Sequence, residues 1–376
     1  MEYYKIYILN MIQAKIVADS ITPRGERLTT LEVIMPRYIL AEFNTHRVLS
    51  RNSASSRAIP FGKMVKEVHE NPFIPYAWQK DHKGMQGNEY FTEKDDIIGA
   101  QEEWIEARNS AIIHSKQLNK QQVTKQLANR LLEPFMYHKV LVSGTEWGNF
   151  FNLRCPKYTF ESKIGIHIYK SRKDAINNVW DANTDSENGG TIIEWLKVNK
   201  GQADIHMMFL AEAIWDATNE STPKKLKEGE WHIPYGDNFD EDTLLDKSVY
   251  GYESSNQETQ GGWTIEGGEE AYYYILNELK CKISIARCAR LSYQTLGDNP
   301  EINYEKDLEL FEVLSKSGHY SPFEHVAKVM TGDEYLEWNK GKLEWDEDKL
   351  GYNVLDETTG WCRNFRGFIQ YRTLID

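Results

Sequence analysis

A mixed α/β fold, a sheet with helices packed against it, is predicted by three features of the sequence. "RLTTLEVIMPRY" (27–38) alternates Leu31, Val33 and Met35 with Thr30, Glu32 and Ile34, the period-two pattern of a strand with one core face, and Pro36 ends it. "ADIHMMFLAEAIWDA" (203–217) reads as a buried helix with Met207 and Met208 in the core. "YEKDLELFEVLSKSG" (304–318) carries Leu310, Phe311 and Leu314 at helical spacing and closes on Gly318, which accepts the left-handed conformation of a C-cap. With 376 residues, 40% of them hydrophobic, the chain can bury a sizeable core.

The remaining elements follow along the chain. "YILAEFNTHRVLS" (38–50) places Ile39, Leu40, Phe43 and Val48 near helical spacing, so a helix is expected to lead into the basic stretch 44–60. Residues 100–135 predict two helices. The second puts Val123, Leu127 and Leu131 on one stripe, carries Arg130 in its last turns and ends at Glu133-Pro134. "GTEWGNFFNLRCPKY" (144–158) is rich in aromatics, and Arg154 is the lone charge between Gly148 and Pro156. Residues 156–200 and 217–270 are polar and read as loops or small insertions. Ser321-Pro322-Phe323-Glu324 combines a capping box with proline at the first helical position, which predicts a helix from Pro322 with free N–H groups at its start.

Composition narrows the function. Lys+Arg 44 against Asp+Glu 57 gives a formal net charge of −13, which disfavours binding to a nucleic acid polymer. There is no uninterrupted apolar run of about 18 residues and no secretory leader at the start, so a soluble, cytoplasmic protein without a membrane role is expected. Cys155, Cys281, Cys288 and Cys362 are too sparse for a disulfide framework or a structural zinc site; reduced, buried thiols and no metal are expected. The eleven tryptophans are scattered, as suits core and interface packing.

Walker, G-x-G-x-x-G, H-E-x-x-H and G-x-S-x-G patterns are absent, which leaves arginine clusters and helix termini as anion sites. The stretch "NTHRVLSRNSASSRAIP" (44–60) holds Arg47, Arg51 and Arg57 with Ser53 and Ser55, and no acid. Guanidinium forks there, at Arg130 and at Arg154 suit phosphates and planar carbonyl edges. Taken alone, each also has a plainer reading. The stretch can be a solvated loop, Arg130 can complement a helix dipole, Arg154 can pair a loop carbonyl, Ser321 and Glu324 can be caps, and His319 can face solvent.

Together these blocks resemble the flavin-dependent thymidylate synthases. "THRVLSRNSASSR" is similar to that family's R-H-R…S signature, with His46, Arg47, Asn52, Ser55 and Arg57 in register; "NRLLEP" and "WGNFFNLR" resemble its later arginine-bearing segments. "IARCARLSY" and "SGHYSPFEH" resemble blocks that ordinarily precede the R-H-R signature, yet here they follow everything else. The order implies a circularly permuted, phage-type member of the family, a rearrangement that folds tolerate when their termini are close. The resemblance covers roughly half the chain. It implies a single catalytic domain over 1–376: a permuted core at about 20–155, 203–216 and 279–330, insertions at about 156–202 and 217–278, and a C-terminal extension, 331–376.

Carried over residue by residue, the resemblance implies that Ser55 and Arg57, with Ser53 and Arg130, bind deoxyuridylate. Arg154 contacts the uracil edge and favours ionisation at N3, which makes C5 nucleophilic. His46, Arg47, Asn149, Ser292 and Ser321 line an FAD site, with His319 and Arg154 beside the reacting groups. FAD, methylenetetrahydrofolate as carbon donor and NADPH as reductant are implied, as is a homotetramer with shared active sites; Cys155 need not be catalytic.

Three departures stand out. Thr45 replaces the pattern's first arginine, Ser53 its glutamate, and Glu42 a glutamine. The terminal "WCRNFRGFIQYRTLID" offers Arg363, Arg366, Gln370 and Arg372 as replacements. The expected reaction is thymidylate synthesis from dUMP. The alternatives are a flavin-dependent dUMP or dCMP hydroxymethylase or methylase and, from another class, a non-catalytic nucleotide-binding or assembly protein.

Overall fold

The computed structural model describes residues 11–84, 87, 89–162, 165–178, 191–236, 239–244, 268–291, 303–347 and 351–375. Its centre is a five-stranded sheet ordered β3-β4-β2-β1-β5: β3 is Ser50–Ser53, β4 Tyr137–Gly144, β2 Arg27–Pro36, β1 Gln13–Ile21 and β5 Lys224–Lys225. The neighbours are antiparallel except β1 and β5, and a register shift between Ile16 and Ala18 marks an irregularity in β1. The fold is mixed α/β, as the strand and helix patterns predicted.

Alternation assigns the two faces of the sheet. Leu31, Val33 and Met35 of β2 and Val140 and Val142 of β4 pack under a helix, Ile205–Glu220, through its Met207, Met208, Leu210, Ala211 and Ile214. Asp204 caps that helix by accepting from the backbone N–H groups of His206 and Met207. Each of these large side chains, almost wholly removed from water, contributes about 1.5–3 kcal/mol.

Leu141 of β4 faces the other way, toward Cys288 and Leu291 at the end of a long helix, Gly268–Arg290. On this second face Thr30 and Ser143 are wholly buried, although Thr30 lies on the side of β2 expected to be polar. A second, three-stranded sheet covers them: β6 (Trp231–His232), β7 (Ala327–Val329) and β8 (Phe368–Gln370), in the order β8-β7-β6.

Buried hydroxyls there find partners across the gap. Ser20 Oγ meets His232 Nδ1 at 2.9 Å, His232 Nε2 meets Thr30 Oγ1 at 2.8 Å, Thr30 meets Ser143 Oγ at 2.6 Å, and Ser143 meets His325 Nδ1 at 2.8 Å. This chain of bonds satisfies groups whose burial would otherwise be costly. Burial pushes both histidines down to about 3, so they are neutral links.

Some local expectations are corrected. Residues 37–43 make only a short 3-10 turn (Arg37–Ile39) and one helical turn (Leu40–Phe43), and Val48 is exposed rather than part of an apolar stripe. Leu127 and Leu131 are also exposed: after Lys125–Ala128 the chain tightens into a 3-10 helix, Asn129–Phe135, which turns every three residues and buries Asn129, Leu132 and Phe135. Pro134 lies inside that segment. Residues 158–162 and 165–169 pair as a hairpin, and Lys224–Lys225 and Trp231–His232 are built into the two sheets, so the polar regions carry regular structure. The expected helix at Pro322 is a single 3-10 turn, Ser321–Glu324, without a side-chain cap, because the chain is drawn directly into β7.

The predicted C-cap at Gly318 is present, with φ of +68°, after a helix Tyr304–Ser317 whose Phe311 and Leu314 are buried. All four cysteines are buried free thiols. Among the described residues no helix is long and apolar enough to cross a membrane.

Candidate functional site

Arg154 ends a short helix, Gly148–Arg154, anchored in the core by Phe150 and Phe151, so the cation lies at the negative end of the helix dipole. The ring of His46 stands edge-on to Phe150 at 5.0 Å, which fixes the basic stretch against this helix. Arg154 Nε donates to His46 Nε2 at 3.0 Å. His46 must therefore accept at Nε2 and carry its proton on Nδ1. Burial, followed by the cations of Arg154 and Arg51, lowers its pKa to about 4, so the ring is neutral near pH 7.

The other nitrogens of Arg154 meet two of the departures noted in the sequence. Nη1 forms an ion pair with Glu42, and Nη2 lies 3.4 Å from Thr45 Oγ1, while Thr45 itself donates to the Glu42 carbonyl at 2.7 Å. Burial raises the Glu42 pKa against the opposing pull of Arg154. Both charged side chains remain partly open to solvent, 19% for Arg154 and 30% for Glu42, so a ligand can reach the pair. Arg51 secures the loop from behind by donating to the His46 carbonyl at 2.6 Å.

Two further clusters lie along β3. On its inner face, Asn52 Nδ2 donates to the Cys288 carbonyl at 2.7 Å, and Ser321 Oγ donates to Asn52 Oδ1 at 3.3 Å. Gln370 Nε2 reaches Ser50 Oγ at 3.0 Å and the Glu324 carbonyl at 2.9 Å; Asn364 also reaches Ser50, at 3.2 Å. Arg372 pairs with Glu324, and Arg366 lies 3.7 Å from Glu146. Past the strand, Asn129 Nδ2 donates to the carbonyls of Ser56 at 2.7 Å and Ile59 at 3.0 Å, Ser56 bonds Glu133, and Lys125 reaches Ala58 O at 3.1 Å.

These contacts tie the turn of Ser55 and Arg57 to the segment of Arg130, whose guanidinium is 3.6 Å from Glu133. Within one chain, then, Arg154 joins His46; Ser55 and Arg57 join the Arg130 segment; Ser321 joins Asn52. Arg47, Asn149 and His319 are exposed, Ser53 is half-buried at the end of β3, and Ser292 lies outside the described residues. Asn129, Glu133 and Asn364 were not anticipated. Their contacts are made over long sequence separations, and no local pattern announces them.

The donors fit an anionic dinucleotide such as FAD in kind. Arg47 and Asn149 flank the His46–Phe150 contact, and among the described residues neither side chain has a protein partner.

No known protein family's sequence profile matches the chain, and no curated protein matches it. Among solved structures, the UMP/dUMP methylase PolB from Streptomyces cacaoi is similar in two crystal structures, each with a different bound nucleotide. That bound with 5-Br UMP shares 13% identity over 52% of this chain and 69% of its own, with a TM-score of 0.33. That bound with 5-Br dUMP shares 13% identity over 52% and 67%, with a TM-score of 0.34.

Proposed function

We propose that this chain is an enzyme of pyrimidine nucleotide metabolism that transfers a one-carbon unit from methylenetetrahydrofolate to C5 of a deoxypyrimidine monophosphate, with dUMP to dTMP as the reference reaction. The observation that carries the reading is the meeting of His46, from the first arginine-rich block, with Arg154, from the second, at 3.0 Å. Two segments that resemble one family's signatures are far apart in sequence and build one partly open cationic site.

In this reading Arg154 holds the edge of the base, oriented by neutral His46, while Ser53, Ser55, Arg57 and Arg130 take the phosphate. His46, Arg47, Asn149, Ser292 and Ser321 would hold FAD, and His319 would lie near the reacting groups. Bound flavin supplies reducing equivalents, renewed by NADPH. The separate clusters along β3 come together in a cytoplasmic homotetramer whose pockets draw on several chains. A second reading, hydroxymethylation or methylation of dUMP or dCMP, is favoured by Glu42, whose carboxylate lies against Arg154.

A yellow protein with a flavin spectrum and tritium release from C5-labelled dUMP or dCMP are expected, with mass spectrometry of the product separating methyl from hydroxymethyl. A colourless protein that releases tritium from neither nucleotide would leave the non-catalytic alternative standing.

A further inference from the structure

We infer that the Glu42–Arg154 pair selects cytosine over uracil, making dCMP the preferred nucleotide; the inference rests on the function proposed above. Arg154 has five N–H donors. Its Nε–H is taken by His46, one on Nη1 by Glu42, and one on Nη2 points toward Thr45. What is left for a ligand is a pair of guanidinium donors followed by a carboxylate acceptor. Among the described residues, Glu42 uses one carboxylate oxygen, Oε1, and its other oxygen has no hydrogen-bond partner.

A row of donor, donor, acceptor complements the cytosine edge, where O2 and N3 accept and the N4 amino group donates. Uracil presents acceptor, donor, acceptor and leaves two positions mismatched, its N3–H against a guanidinium donor and its O4 against the carboxylate. Carboxylate acceptance from cytosine N4 is a recurrent pairing, and each well-made pair discriminates about tenfold or more. Charge acts in the same direction. Ionisation of uracil at N3 would place an anion beside the Glu42 carboxylate, and a like charge disfavours it. Neutral cytosine meets no such repulsion. A neutral glutamine at position 42 would leave the Arg154 charge uncompensated and would offer an amide N–H, both of which suit uracil.

The test is calorimetric titration of the purified protein with dCMP and with dUMP, for wild type, Glu42→Gln and Glu42→Asp, alongside tritium release from each C5-labelled nucleotide. Wild type is expected to bind dCMP about tenfold more tightly than dUMP. Glu42→Gln should lose or invert that ratio, and Glu42→Asp, which keeps the carboxylate, should retain it. Tighter binding of dUMP by wild type, or a ratio unmoved in Glu42→Gln, overturns the inference and leaves the proposed reaction intact. Binding of neither nucleotide overturns both. Matching thermal melts of the two variants exclude misfolding as the cause of a changed ratio.

Discussion

At the scale of single residues, the basic stretch 44–60 is resolved into different duties. Arg51 is spent on backbone carbonyls and holds its own loop, Asn52 ties the strand to the end of a helix, and His46 orients Arg154. Arg154→Ala should lower C5 tritium release by about 10²-fold or more, because a fixed cation at the site of developing charge is lost. Lysine there cannot reproduce the bonds to His46, Glu42 and Thr45 together and should recover only part of the rate.

The buried histidines set a second prediction. His138, His232 and His325 are almost wholly inaccessible, and burial lowers each to about 3, from an unfolded value near 6.5. Between those values the unfolded chain binds more protons, so their contribution to stability is complete above about pH 6.5 and is lost as pH falls toward 3. Each contributes a slope of about 1.4 kcal/mol per pH unit in that window. The urea midpoint should drop clearly between pH 7 and pH 5; a flat profile would contradict the neutral, buried state.

At the scale of elements, period decided what the sequence could disclose. Strand β2, the helix Ile205–Glu220 and the helix Tyr304–Ser317 with its Gly318 cap were legible because each repeats its apolar residues over several turns or pleats. Gly318→Ala would put a Cβ into open space yet force a non-glycine residue to a φ of +68°, so a loss of about 1 kcal/mol is expected in thermal unfolding. Met207→Ala, which removes a wholly buried side chain, should cost about 2–5 kcal/mol.

The 129–135 segment was misread because a 3-10 turn buries every third residue, a period that a helical template places one residue away. Ser321 was misread for another reason. Capping chemistry is local, but its hydroxyl is claimed by Asn52, 269 residues away in sequence.

At the scale of the whole molecule, the site is assembled from contacts that no local pattern encodes. His46 and Arg154 could be chosen as candidates from their motif blocks, whereas the pairing of Glu42 with Arg154 and the reach of Gln370 to Ser50 are tertiary facts. The C-terminal Arg363, Arg366, Gln370 and Arg372 are offered by the sequence as replacements for the groups lost at positions 45 and 53. Arg372 pairs with Glu324, Arg366 lies 3.7 Å from Glu146, and Gln370 makes the link to the motif strand. Gln370→Ala would leave Ser50 and the Glu324 carbonyl short of a buried partner, a loss of about 1–3 kcal/mol that chemical denaturation would detect.

That link also has a consequence in time. Ser50 and Gln370 are 320 positions apart, and β8 completes its sheet only by pairing with β7. During synthesis the motif strand emerges early and must wait, with one side uncovered, until Gln370 has left the ribosome. Nascent chains arrested before residue 368 should be readily cleaved by protease around residues 44–60, and release of the longer chain should abolish that cleavage.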